Sequence, residues 1–203
     1  MTGTPRRLHL GAFDQVQEGW LNTDVTPHLF VARVPGAAWL LHRAGVIGAD
    51  RYAAHRSGAF RSLHYLDVGR RFRFDDDTFE AVYASHLLEH LEPEVAESCL
   101  KEVRRVLRPG CVLRLAVPDL DEVVARYDPA DPDLFLAGLY DAHSARRSRT
   151  SLHRWMYNHK SLQALLRRVG FHDVRRCEFR QGRCPDVDEI ESRRWSLFME
   201  GVK

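Results

Sequence analysis

The sequence predicts an α/β fold with parallel strands, and three observations within residues 79–118 lead to this prediction. Residues 81–84 form a short apolar run rich in strand formers, and residues 111–117 form a second run whose only charge is Arg114. Between them, after Pro93, apolar side chains recur at helical spacing: Val95, Cys99, Val103 and Val106. This connection exceeds the roughly twelve residues that parallel pairing needs, so the unit should be a right-handed βαβ crossover.

Local signals mark both ends of the predicted helix. Pro93 suits the first helical turn, where the missing N–H would have no intrahelical partner in any case. Arg108, Pro109 and Gly110 form a stop signal, because the glycine is free to take a positive φ. The strand, helix and strand are therefore all predicted from local pattern.

Length and composition indicate one domain over residues 1–203. Hydrophobic residues make up 44% of the chain and charged residues 29%, which is ordinary for a globular protein. No apolar run approaches the ~20 residues of a membrane span, and Asp14 precedes any signal-peptide core. The formal net charge of +2 is too small to indicate a nucleic-acid partner. We therefore predict a cytoplasmic protein that binds neither membranes nor nucleic acids.

Two short strands open the chain, at residues 7–11 and 20–25. Only residues 12–19 join them, which is too short a segment for a crossover helix between parallel strands, so we expect an irregular turn there.

An inserted helical segment is predicted at about residues 26–62. Gly45 and Gly48 separate one helix from a second over residues 49–56. The insert follows the second strand, at the edge where ligands bind in open α/β sheets. It could cap a substrate pocket, form the contact of a homodimer or simply cover the sheet.

The remaining elements follow from shorter patterns. We predict strands at residues 63–68, 174–179 and 195–202, and helices at residues 134–139 and 162–169, the latter closed by Gly170. Residues 143–150 are polar enough for a mobile loop. Residues 181–194 are highly charged, and we expect this connection to be exposed.

The string His86-x-x-Glu89-His90 satisfies the H-x-x-E-H pattern of one class of zinc peptidases. That pattern requires both histidines inside one helix and a third ligand downstream. Here His86 falls at the junction of strand and helix, and we expect Glu89 and His90 to start the next helix. The four cysteines show no paired metal spacing, so we predict reduced thiols and no metal site.

The segment FEAVYASHLLEHL, followed by EVRRVLRPGCVLRLAVPDL, resembles the fourth strand, following helix and fifth strand of the class I S-adenosylmethionine-dependent methyltransferases, particularly their small bacterial members. The resemblance implies a Rossmann-like, seven-stranded, mostly parallel sheet with helices on both faces and an antiparallel last strand. It also implies S-adenosylmethionine as the cofactor.

The same resemblance implies which residues bind the cofactor. Gly11, Ala12 and Phe13 match the turn that passes the methionine part, and Asp24 matches the acid that hydrogen-bonds the ribose hydroxyls. Asp67 matches the position that reaches the adenine amino group, and Ser85 lies beside the transferable methyl. Phe13 stands where small family members carry a second glycine, and a phenylalanine does not easily take a positive φ. Either the turn has another shape or the pocket holds something else.

Methyl transfer to a hydroxyl or amine is helped by a base near its working pKa, for which histidine is the usual choice. We expect His86, His153 and Tyr157 as the catalytic candidates, and a small-molecule acceptor such as a sugar or a specialised metabolite of a biosynthetic pathway. The alternative is a methyltransferase-like protein that has lost or redirected methyl transfer and acts as a binding partner or in another reaction. A nicotinamide enzyme is disfavoured because the G-x-G-x-x-G fingerprint is absent.

Overall fold

A computed structural model describes residues 6–140 and 152–203, so the loop predicted at residues 143–150 lies outside the described residues. Within them, seven strands form one sheet in the order β3-β2-β1-β4-β5-β7-β6. The strands are β1 (Arg7–Leu10), β2 (Leu21–Asp24), β3 (His64–Tyr65), β4 (Phe79–Ser85), β5 (Leu107–Pro118), β6 (His172–Cys177) and β7 (Ser196–Val202).

The strand directions confirm the predicted Rossmann-like sheet. Strands β1 to β5 pair in parallel, and β7 runs antiparallel between β5 and β6. Because β7 is antiparallel, its first residue, Ser196, lies opposite Pro118 at the carboxyl end of β5. The first residue of β7 therefore lies at the edge of the sheet where the parallel strands end.

Eight α-helices surround the sheet in the described part of the chain. They are α1 (His28–Val31), α2 (Ala37–Arg43), α3 (Ala49–Ser57), α4 (Pro93–Val106), α5 (Leu120–Ala125), α6 (Pro132–Tyr140), α7 (His159–Val169) and α8 (Val187–Ile190). Helices α1 to α3 lie within the insert predicted at about residues 26–62. The strand predicted at residues 63–68 pairs with its neighbour over only two residues. None of these helices has the length and apolar character that a membrane crossing requires.

Helices α4 and α7 cover one face of the sheet. Helix α4 begins at Pro93, as predicted, and buries one stripe of side chains that includes Cys99 and Val103. Helix α7 begins with a capping box, in which the Asn158 side chain accepts from the Ser161 backbone N–H and the Ser161 hydroxyl accepts from the Asn158 N–H. It ends at Gly170, whose φ is +103°. The predicted start of α4 and the predicted end of α7 are thus confirmed. Helix α7 begins three residues earlier than predicted, and α4 ends at Val106, so that the predicted stop signal lies at the start of β5.

The opposite face is covered by the connection between β6 and β7. Cys184 and Val187 are buried there against Trp20 and Tyr83. Glu191 is also buried, so the expectation that residues 181–194 are exposed is wrong for these three residues, although most of the segment is exposed as predicted.

Arg114 of β5 explains this correction. Its side chain is fully buried, and its Nε donates to Glu191 Oε1 at 2.7 Å while its other nitrogens donate to the carbonyls of Gln181 and Glu178. Glu200 lies 3.5 Å from the same guanidinium. The carboxylate of Glu191 is therefore paired beneath the connection rather than solvated.

Candidate functional site

The carboxyl ends of the parallel strands meet at one edge of the sheet, and most of the predicted site residues lie there. Gly11 follows β1, Asp24 ends β2 and Ser85 ends β4. Asp67 lies shortly after β3. Because β1 lies between β2 and β4, the structure brings these positions together as the sequence pattern requires.

The turn after β1 requires a glycine at its first position. Gly11 has φ +65°, and a Cβ added there would lie 3.1 Å from Leu87 Cδ1. Ala12, which follows, is buried and its N–H donates to the Thr23 carbonyl at 3.0 Å. The turn therefore lies close to Leu87, which follows β4, and to the end of β2.

Phe13 has a left-handed backbone conformation, with φ +46°, although a phenylalanine does not easily take a positive φ. Its ring packs against Phe60 at a centroid distance of 5.6 Å, and the Arg51 guanidinium lies 4.2 Å from the ring centroid. The inserted segment therefore holds the ring. Phe13 keeps the backbone shape that a glycine would give, with the side chain anchored among the insert residues.

Asp24 accepts two backbone hydrogen bonds across this turn. Its Oδ2 accepts from the Phe13 N–H at 3.1 Å, and its Oδ1 accepts from the Thr26 N–H at 2.6 Å. Burial raises the pKa of this carboxyl, and the backbone donors oppose that rise. Each oxygen retains a second lone pair, so the carboxylate could still accept from two vicinal hydroxyls.

Asp67 is more exposed and closes a local turn. Its Oδ1 accepts from the Gly69 N–H at 3.0 Å, and its Oδ2 lies 2.9 Å from Arg70 Nε. The side chain is about one third exposed, so a ligand could reach it.

His86 follows β4, and each of its ring nitrogens lies close to a polar side chain. Its Nε2 lies 2.8 Å from Ser196 Oγ, and its Nδ1 lies 3.0 Å from Glu89 Oε1. The backbone is left-handed, with φ +51°, and the His86 N–H donates to the Ala116 carbonyl at 2.8 Å. The half-exposed Trp195 ring lies 5.1 Å from the imidazole. The ring is thus positioned between a carboxylate and a hydroxyl.

Sequence reasoning missed Ser196 and Trp195 as site residues. Both belong to the last strand region, and Ser196 is separated from His86 by 110 positions. The available signal was the antiparallel direction of that strand, which places its start at the carboxyl end of β5.

His153 and Tyr157 come from the segment before α7 and lie against Glu89. The Glu89 carbonyl accepts from the N–H groups of Arg154 and Trp155 at 2.7 and 3.1 Å. Tyr157 is buried, and burial, followed by the nearby charge of Glu89, raises the pKa of its phenol to about 12. The phenol therefore stays protonated at neutral pH. His153 lies beside His90, with ring centroids 5.3 Å apart.

The residues of the string His86-x-x-Glu89-His90 do not form the α-helix that the zinc-peptidase pattern requires. Leu88–His90 form a 3₁₀ turn, helix α4 begins only at Pro93, and His86 precedes the turn with a positive φ. The expectation that Glu89 and His90 start the next α-helix is therefore wrong.

Comparisons with known proteins agree with the architecture. A family model described as a methyltransferase domain matches residues 45–115. No protein of curated function matches the chain.

Solved structures share the fold at low sequence identity. A methyltransferase described in complex with the Haloferax volcanii Trm112 methyltransferase activator is 18% identical, with a TM-score of 0.50 and coverage of 97% of this chain and 81% of that one. A SAM-dependent methyltransferase from Archaeoglobus fulgidus is 14% identical, with a TM-score of 0.53 and coverage of 99% and 87%. An O-methyltransferase from Nostoc punctiforme is 11% identical, with a TM-score of 0.52, and this chain spans only 53% of its length.

These likenesses establish the fold, and the matched domain includes the βαβ unit around Ser85 and helix α4. The chain thus has the fold of the class I methyltransferases, and residues 45–115 are similar to a methyltransferase domain.

Proposed function

We propose that the chain is an S-adenosylmethionine-dependent methyltransferase that acts on a hydroxyl or amine of a small molecule, such as a sugar or a specialised metabolite. The observation that carries the proposal is His86, an imidazole that lies between Glu89 and Ser196 at the carboxyl end of β4. A cytoplasmic location, a biosynthetic role and a homodimer stay predictions of the sequence.

The residues at the strand edge fit S-adenosylmethionine. Gly11 and Ala12 bring the backbone close to where the methionine part would lie, and Phe13 supports the turn through its N–H bond to Asp24. The Asp24 carboxylate would accept from the ribose hydroxyls through its remaining lone pairs. We assign Asp67 to the adenine end and Ser85 to the methyl end.

The cofactor supplies an electrophilic methyl group and loses its positive charge on transfer. The chain contributes by holding the acceptor in line, excluding water and accepting the acceptor's proton. His86 suits the last task, because Glu89 lies at Nδ1 and would stabilise an imidazolium after Nε2 has taken a proton. In that arrangement the acceptor hydroxyl would take the place of Ser196 Oγ at Nε2.

Exposed aromatic side chains support a flat or ring-shaped acceptor. Trp195 packs against His86, and Trp155 is tied to Glu89 through its backbone N–H. Both indole rings are about half exposed. Aromatic faces of this kind present large apolar contact area with a polar edge, which suits sugar rings and aromatic metabolites.

Titration calorimetry with S-adenosylhomocysteine, which cannot be consumed, tests the cofactor half of the proposal. We expect micromolar binding by the full chain and a loss of about tenfold or more in Asp24→Ala, because hydrogen bonds to charged groups contribute about 1.5–3 kcal/mol. Asp75→Ala, which removes an exposed acid from a surface turn, is the matched control and should bind normally.

Circular dichroism on each variant separates lost binding from lost folding. Unchanged affinity in folded Asp24→Ala would remove the site assignment. No binding by the folded wild-type chain would favour the alternative, a methyltransferase fold that has lost or redirected its usual reaction.

A further inference from the structure

Three metal-ligating side chains meet next to the proposed acceptor side. Glu89, His90 and His153 each offer one ligand atom, and these atoms lie within 4.8 Å of one another. We call these three residues the Glu89 cluster. None of the roles proposed above requires His90, and the proposed role of Glu89 uses only its contact with His86 Nδ1.

Glu89 is an unusual carboxylate. It is fully buried, and neither of its side-chain oxygens makes a hydrogen bond with any residue that the structure describes. His86 Nδ1 lies 3.0 Å from Oε1 but lacks the direction of a hydrogen bond. An ionised carboxylate buried without hydrogen bonds costs several kcal/mol, which a bound cation would offset. The carboxylate is therefore suited to a positively charged ligand.

The two imidazoles are held in the manner of metal ligands. Nδ1 of His90 lies 3.2 Å from the Leu152 carbonyl, and Nδ1 of His153 lies 3.2 Å from the Leu139 carbonyl. A carbonyl only accepts, so each Nδ1 must carry the proton, and in the neutral ring Nε2 then carries the lone pair. Proteins orient metal-binding histidines by this kind of bond to a backbone carbonyl.

We propose that the Glu89 cluster binds a divalent transition metal, with Zn²⁺ as the probe of choice. Two imidazoles and one carboxylate favour zinc and its neighbours over Mg²⁺ or Ca²⁺, which prefer all-oxygen sites. Coordination at about 2.1 Å would draw the three ligand atoms closer together than they lie here. Three protein ligands leave an open position for water or for an acceptor oxygen.

The test is calorimetric titration of the tag-free, chelator-treated full chain with Zn²⁺, and with Mg²⁺ in parallel. We expect one Zn²⁺ per chain and no comparable Mg²⁺ binding. His90→Gln and His153→Gln should each weaken Zn²⁺ binding by at least about 10–100-fold, a loss that even second-shell changes commonly reach. Both positions are only partly buried, so the variants should fold. His172→Gln removes an exposed histidine of β6 and should bind zinc like the wild type.

The proposal is overturned if the wild type takes up no stoichiometric zinc, or if His90→Gln and His153→Gln bind it like His172→Gln. The same proteins are titrated with S-adenosylhomocysteine. Cofactor binding without zinc binding rejects the metal site alone, whereas zinc binding without cofactor binding rejects the proposed function alone.

Discussion

Phe13 shows how one side chain can hold a backbone conformation that its own chemistry disfavours. A non-glycine residue in the left-handed region costs roughly 1–3 kcal/mol. Here the cost is offset by the N–H bond to Asp24, by ring contacts with Phe60 and by the Arg51 guanidinium over the ring. The turn after β1 thus depends on the packing of Phe13 for its conformation.

Replacing Phe13 by glycine or by alanine should separate packing from backbone strain. Both variants lose the ring, but only glycine relaxes at φ +46°, so Phe13→Ala should be about 1 kcal/mol less stable than Phe13→Gly. Urea denaturation measures the difference. At Phe60, in a 3₁₀ turn, the order should reverse, because glycine is usually the less stable choice in helical backbone. Equal stability of the two Phe13 variants would contradict the strain argument.

At the scale of elements, the connection between β6 and β7 depends on a charge inside the sheet. Arg114→Met should destabilise the chain by about 3–5 kcal/mol, because the buried Glu191 would lose its ion-pair partner, whereas Glu200 would keep Arg175. The exposed pair between Arg6 and Glu80 offers the control, and Arg6→Met should cost at most about 1 kcal/mol. The comparison is made by chemical denaturation, and similar losses in both variants would show that the buried network is not structural.

The sequence predicted the elements that carry a strong local period and missed those that depend on distant partners. Helix α4 and its flanking strands follow from apolar spacing, and helix α7 from its spacing and Gly170. The burial of Glu191 could not be predicted, because its carboxylate meets Arg114 only in the folded sheet. The position of Arg114 inside an apolar run was the available hint.

The residues of the candidate site also divide into those that local sequence pattern predicts and those that depend on distant contacts. Gly11, Asp24 and Ser85 could be placed because strand ends share one edge of a parallel sheet. Ser196 could not be placed, since nothing local indicates that it contacts His86 across 110 positions. The Glu89 cluster was missed because His153 lies far from His90 in the chain, and the H-x-x-E-H string directed attention to His86 instead.

The molecule as a whole should lose stability in mild acid. Burial lowers the pKa of His9 to about 4 from an ordinary value of 6.5, and burial also lowers the pKa values of His28 and His55. The pKa of His9 is lower in the folded state than in the unfolded state. Its contribution to the free energy of unfolding is therefore full above pH 6.5 and is lost as the pH falls towards 4. The loss amounts to about 3 kcal/mol once the pH is below both values.

Denaturation midpoints between pH 7 and 4.5 would measure this effect. The free energy of unfolding should fall with pH in the wild type and in His172→Gln, and should fall less steeply in His9→Gln. A His9→Gln profile parallel to that of the wild type would show that His9 is not the group responsible.

The cover over the second face also sets an order of events during synthesis. Trp20 donates its indole N–H to Asp186, and that partner emerges from the ribosome 166 positions later. Strands β1 and β2 can pair with each other early, but their side chains on this face stay in contact with water until the segment around Asp186 has been translated. The nascent chain therefore exposes apolar surface of an incomplete sheet until that point, and such surface is prone to aggregation.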